Sequence, residues 1–242
     1  MFIPLKDDNP RSRIGLQAVT IAFLAICVLV FLYQLTLSEI EQARLFYSYG
    51  LIPATLLGDA QLSPELERVP SWATLLTSMF LHGGFLHIAG NMLFLWVFGD
   101  NIEDALGHVR FIVFYVLCGL AAGLLHAAID PSSEVPTIGA SGAISGILGG
   151  YLVLYPRRGV WVQIFYLIVR RFPAWGVLGA WIGLQVINAT IVNDPGANTA
   201  WWAHIGGFIA GAILVVPLRR AGVPLFEGRV PQTFKGPWSR DR

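Results

Sequence analysis

The sequence predicts an all-α, polytopic membrane protein of six spans, and three observations predict it. Hydrophobic residues fill 55% of the 242 positions and charged residues only 13%, too few charges to cover a soluble domain of this size. Several apolar runs reach the roughly 20 residues that a helix needs to cross a hydrocarbon core of ~30 Å. The charges are clustered between those runs rather than spread along the chain. The net charge of +1 carries little information by itself, and no nucleic-acid partner is expected.

The elements follow in order. Residues 1–13 carry Lys6, Asp7, Asp8 and Arg11 without a signal-peptide pattern, so they form a polar N-terminal segment ahead of an uncleaved first span, Ile14 to Leu37. The interval Ser38 to Leu81 is too polar to cross but rich in Leu, Ile, Phe and Tyr, which suits short elements in the headgroup region. The second span is Phe85 to Gly99, closed by the polar run Asp100 to Asp104. The third is Val109 to Ile129 and the fourth Gly139 to Tyr155. Val160 to Val169 is apolar but bounded by Arg157-Arg158 and Arg170-Arg171-Pro173, which reads as a loop or interfacial piece. Ala174 to Val192 and Ala200 to Leu218 complete a membrane domain over 14–218, and 219–242 is a Pro- and Gly-rich basic tail expected to be mobile.

Lys and Arg set the orientation. Lys6, Arg11, Arg13, Arg110, Arg157, Arg158, Arg170, Arg171, Arg219 and Arg220 fall in one set of loops. Glu39, Glu41, Asp59, Glu65, Glu67, Asp130, Glu134 and Asp194 fall in the other, with only Arg44 and Arg68 as basic residues. The expected location is a multi-pass position in a bacterial plasma membrane, with both termini cytoplasmic. Spans two, four and six then run inward in parallel, starting from the outer side.

Three motifs lie at those starting ends. Gly142, Gly146 and Gly150 recur every four residues and form a smooth stripe on span four, preceded by Gly139 and flanked by Ser141 and Ser145. Ala203, Gly207 and Gly211 repeat the stripe on span six beside His204. Span two places His87 and Asn91 four apart on one face, with His82 in the loop just above. Each feature alone has a plain structural reading as helix packing, a satisfied polar group or interhelical glue. Together they put four costly intramembrane polar residues from three parallel helices at one depth. A serine beside a histidine suits nucleophilic acyl transfer, and His87, Asn91 and the Ser141 N–H could stabilise the oxyanion. Ser141 is favoured over Ser145 because it shares a depth with His204 and sits at a helix N-terminus. His108 and His126 read as structural. Cys27 and Cys118 fall in apolar runs, so neither a disulfide, a metal site nor a cofactor is indicated.

These motifs resemble the rhomboid intramembrane serine proteases: His-Gly-Gly-Phe-Leu-His-Ile-Ala-Gly-Asn (His82 to Asn91), Gly-Ala-Ser-Gly (Gly139 to Gly142) and Ala203-His204 with its following glycines. The resemblance implies a six-helix rhomboid bundle whose first loop is embedded in the membrane. It implies a Ser141–His204 dyad without an acidic third member and an oxyanion site lined by His87 and Asn91. The implied substrates are transmembrane segments of other proteins, cut near the outer bilayer edge, with lipids as the surrounding partner. Two features depart from some members. Ser145 stands where many carry an aromatic that stacks on the histidine, and Trp72 is followed by Ala73 rather than Arg.

An inactive rhomboid-like protein that holds membrane clients is the alternative, though such relatives would be expected to have lost Ser141 or His204. A transporter is disfavoured by the lack of an internal repeat and of mid-span ionisable residues. A metalloprotease is disfavoured by the absence of His-Glu-x-x-His.

Overall fold

A computed structural model gives the fold and describes residues 2–58, 60–164, 168–192 and 200–227. The chain is mostly helical. Strand β1 (Phe2–Asp7) precedes α1 (Ala18–Gln34); α2 (Glu39–Tyr49) and α3 (Pro53–Leu56) follow. A short helix, α4 (Thr74–Thr77), lies between two 3-10 turns. Then come α5 (Phe85–Leu106), α6 (His108–Ile129), α7 (Ser141–Leu154), the strands β2 (Gly159–Ile164) and β3 (Ile168–Pro173), α8 (Ala174–Ile187) and α9 (Trp201–Leu218). Three helical segments, His108–Ile129, Ala174–Ile191 and Trp201–Leu218, are long and apolar enough to cross a membrane. A fourth counts if Ser71–Phe80 and Phe85–Leu106, bent by 83°, act as one span. α1 and α7 are apolar but shorter.

Contacts along the helices fix their directions. Added Cβ atoms at Gly142 and Gly146 on α7 would strike Ala122 and Cys118 on α6, and one at Gly150 would meet Phe114 at 3.1 Å, so α6 and α7 are antiparallel. Added Cβ atoms at Gly207 and Gly211 on α9 would strike the carbonyls of Gly142 and Gly146, so α7 and α9 are parallel. The ring of Phe98 on α5 meets Tyr151 on α7 at 5.0 Å, while His87 lies beside Gly139, so α5 is parallel to both. Only small residues permit the α7–α9 approach, in which Gly149 on α7 also presses on the Phe208 carbonyl. Gly150 has a different neighbourhood, facing the side chains of Phe114 and Val215.

The bundle buries Phe98, Phe111, Phe114, Tyr115 and Tyr151. Outward-facing apolar residues such as Leu29, Val109 and Ile213 are 63% to 74% exposed, a surface that needs an apolar solvent.

The structure corrects the sequence expectation at the end of the bundle remote from Ser141. The stretch expected to be a loop at 160–169 forms β2 and part of β3, and the polar N-terminal segment supplies β1. Together they make an antiparallel sheet of order β1-β2-β3, so the fold is not purely α-helical. Val160 and Val162 are buried and Ile164 partly so on one flank of β2, whose backbone pairs with β1, more than 150 residues away, on one side and with β3 on the other. Asp8 ties the sheet together, pairing with Arg171 and accepting from Trp161 Nε1 at 2.9 Å.

The second correction concerns α5, which does not stop at Gly99 but continues through the polar run to Leu106. Its acids have partners there. Glu103 accepts from the N–H groups of Val19 and Thr20 at 3.0 and 2.8 Å, capping α1, and lies 2.6 Å from His108 Nδ1. Asp104 accepts from the backbone N–H groups of Ser12, Arg13 and Ile14. The expected tail is also partly built. Arg220 N–H donates to Ala105, Phe226 N–H to Val153, and Glu227 pairs with Arg158 at 2.7 Å. Residues 228–242, and the acidic loop positions Asp59 and Asp194, lie outside the described residues.

Candidate active site

The site gathers where α5, α7 and α9 begin. Ser141 is the first residue of α7. Gly139 turns the chain into that helix with φ +121°, a conformation that favours glycine, while its N–H donates to the Ser78 carbonyl at 2.9 Å. Upstream, Thr137 and Leu51 exchange backbone hydrogen bonds of 2.7 and 3.0 Å, fastening the long first loop to the approach of Ser141.

Ser141 Oγ lies 2.9 Å from His204 Nε2. That distance follows from the glycine contacts, since the two side chains stand beside helices already in backbone contact. Ser145 lies one turn deeper, wholly buried, and its hydroxyl donates to the Ser141 carbonyl at 2.6 Å. This is the back-bond that serines make within helices. Only Ser141 has its hydroxyl on the histidine.

His87 stands on the other side of Gly139. A Cβ added at Gly139 would sit 2.7 Å from His87 Nε2 and 3.7 Å from Ser141 Oγ, so both flank one small volume. The Gly83 N–H points at His87 Nδ1 over 3.3 Å, which makes Nδ1 the acceptor and leaves the neutral ring's proton on Nε2. His87 therefore turns an N–H toward the serine. Asn91, one turn further along α5, is buried, and its Nδ2 has no partner among the described residues. A buried donor left unpaired is costly, so one without a protein partner is notable.

His82 lies in the loop just before α5, as its position suggested. It is completely buried, its ring 5.2 Å from His87, and its backbone is gripped by Gln34 through bonds of 2.7 and 3.1 Å. His126 stays unbonded at Nδ1, and His108 bonds Glu103 away from the serine. Cys27 and Cys118 are free and buried, and no group of three metal-ligating side chains is found among the described residues.

Two contacts from α8 to His204 were missed in the sequence. Gln185 Oε1 lies 2.8 Å from His204 Nδ1, and the Trp181 ring lies 5.8 Å from the imidazole. Both come from α8, one turn apart. The available signal was Gln185 itself, an amide in the otherwise apolar α8, where polar side chains usually face a partner.

A helical bundle fit for an apolar solvent, holding a serine–histidine pair at the mouth of three parallel helices, defines a membrane protein with a hydrolase-type site. The comparisons with known proteins give the lineage. Residues 69–221, well over half of the chain, match the family model described as Rhomboid domain, and the chain belongs to the rhomboid family. It is 31% identical over 163 residues to "RHOMBOID-like protein 5" of Arabidopsis thaliana, covering 64% of this chain and 46% of that protein. It is 27% identical over 236 residues to "Rhomboid protease GluP" of Bacillus subtilis, covering 92% of this chain but 40% of the relative. Similarity to "Rhomboid protease AarA" of Providencia stuartii is 26% over 226 residues, 86% of this chain and 75% of that one. The chain thus spans about half the length, or less, of several relatives that it matches.

Proposed function

We propose that the protein is an intramembrane serine endopeptidase that cuts transmembrane segments of other membrane proteins near the outer bilayer edge. The observation that carries this reading is the 2.9 Å contact between Ser141 Oγ and His204 Nε2 at the N-terminus of α7. In this reading His204 Nε2 takes the hydroxyl proton as Oγ attacks the scissile carbonyl carbon. The negative charge moves to the carbonyl oxygen. There the Ser141 N–H, free of an intrahelical partner in the first turn, the His87 Nε2–H and the Asn91 amide can donate to it. Collapse breaks the C–N bond, His204 returns its proton to the leaving amine, and water then hydrolyses the acyl-serine by the same route. The antiparallel alternation of α1, α5, α6 and α7, with α9 parallel to α7, supports six spans. With the basic loops on the sheet side, both termini would face the cytoplasm and Ser141 the outer leaflet.

A fluorophosphonate probe tests this directly in purified protein, together with a panel of single-span substrates. Ser141 should carry the adduct, and Ser141→Ala should abolish both labelling and cleavage, while Ser145→Ala keeps partial activity. An adduct on Ser145, or cleavage by Ser141→Ala, would refute the assignment. Absence of labelling in the folded wild type would favour a client-binding protein.

A further inference from the structure

We infer that Gln185 is a positioning residue that locks His204 in the tautomer able to act as a base, a neutral third member behind the serine–histidine pair. The inference rests on the protease reading above.

The orientation of a glutamine amide must be deduced from its partners. Here they leave one solution. The Trp181 carbonyl, 3.2 Å away, can only accept, so the Gln185 NH₂ faces it. Oε1 therefore faces His204 Nδ1 at 2.8 Å, and since an amide oxygen carries no proton, Nδ1 must donate. A neutral imidazole holding its proton on Nδ1 presents a lone pair at Nε2, which is the atom 2.9 Å from Ser141 Oγ. All donors in the chain point the same way: Ser141 O–H to His204, His204 N–H to Gln185, Gln185 N–H to the Trp181 carbonyl. Gln185 is 6% exposed, so water does not compete freely for Oε1.

The same helix also supplies what α7 lacks. With Ser145 committed to the Ser141 carbonyl, no aromatic rises from α7 against the imidazole. Trp181 and Gln185, on one face of α8, bound the ring of His204 instead, the indole at 5.8 Å and the amide at Nδ1. An amide can fix the tautomer and plane, but unlike a carboxylate it brings no charge to balance an imidazolium. A charged acceptor at the same place would raise the basicity of the histidine.

The test measures fluorophosphonate labelling rate and substrate kcat and KM as functions of pH for wild type, Gln185→Leu and Gln185→Glu, with melting temperature as the fold control. Gln185→Leu should lower labelling rate and kcat by ~10²-fold with KM little changed, less than the ~10⁴ lost when a charged triad adopts the wrong tautomer. Gln185→Glu should restore most of the rate and move the acid limb of the kcat profile upward by about one pH unit or more. Wild-type labelling at Ser141 with Gln185→Leu labelled equally fast would overturn the inference while leaving the protease reading intact. No labelling of wild-type Ser141 would instead remove the protease reading. If Gln185→Leu does not fold, an unmoved acid limb in Gln185→Glu is itself the refuting result.

Discussion

Replacing Gly207 with alanine would test how far the active-site geometry depends on backbone contact between α7 and α9. A Cβ there would fall on the carbonyl oxygen of Gly142, deep inside van der Waals contact. The obstacle is backbone, so no rotamer change relieves it. Reaching an ordinary carbon–oxygen separation of ~3.3 Å requires the helices to part by on the order of 1 Å. That shift acts where it matters, since Gly142 follows Ser141 directly and Gly207 lies three residues after His204. Misplacing reacting groups by ~1 Å can cost about 10²-fold in rate, whereas overpacking costs ~1–3 kcal/mol of stability. Gly207→Ala should therefore lose about 10²-fold in kcat while remaining folded in detergent. Gly183→Ala is the control, because a Cβ there meets nothing within 4 Å. The assay is cleavage of a single-span substrate per folded molecule, normalised by thermal unfolding. Unchanged turnover in Gly207→Ala would refute the link between glycine contact and catalytic distance.

Two further predictions follow from the outer and inner ends of the bundle. His87→Ala or Asn91→Ala should each lower turnover by up to ~10²–10³-fold, as loss of one oxyanion donor does, with melting little changed and chelators without effect; full activity in the double variant would remove the assignment. At the sheet end, burial pushes the Asp7 carboxyl up from 3.8 to about 7, against the lowering hydrogen bond from Tyr151. Its folded form thus holds a proton that the unfolded chain releases, so its stabilising contribution is full below pH 3.8 and is lost as pH rises through about 7. Melting temperature should fall across that window more steeply in wild type than in Asp7→Asn, and equal slopes would disprove it.

The small-residue stripes made the α7–α9 approach legible in the sequence, because a period of four maps directly onto a helix face. His87 and Asn91 were legible by the same rule. What escaped was whatever is satisfied from a distance. The run Asp100 to Asp104 looked like a helix end because most of the partners of its polar side chains are far away in sequence. Asn101, Glu103 and Asp104 bond to Asp7, to the start of α1 and to the backbone at 12–14, more than 80 residues upstream. The 160–169 stretch looked like a loop because arginines and Pro173 bound it; its place in a sheet depends on β1 at the other end of the chain as well as on β3 beside it. Gln185 was overlooked because a single amide has no periodicity; only its distance to His204 gives it meaning.

The sheet also has a consequence for how the chain is made. β1 pairs with β2, with Asp7 opposite Val160. At ~5–20 residues per second, the ribosome needs roughly 8 to 30 s to make the intervening chain. During that wait residues 2–7 are an unpaired edge, and the Tyr151 hydroxyl that Asp7 will bond does not yet exist. The α5 acids arrive sooner and can tether residues 12–14 first, holding the waiting strand near its destination. Closure of the sheet is then a late latch on helices already inserted. A bulky fusion ahead of residue 2 would spare insertion and trap the protein just short of completion, with the β2–β3 hairpin left open to aggregation.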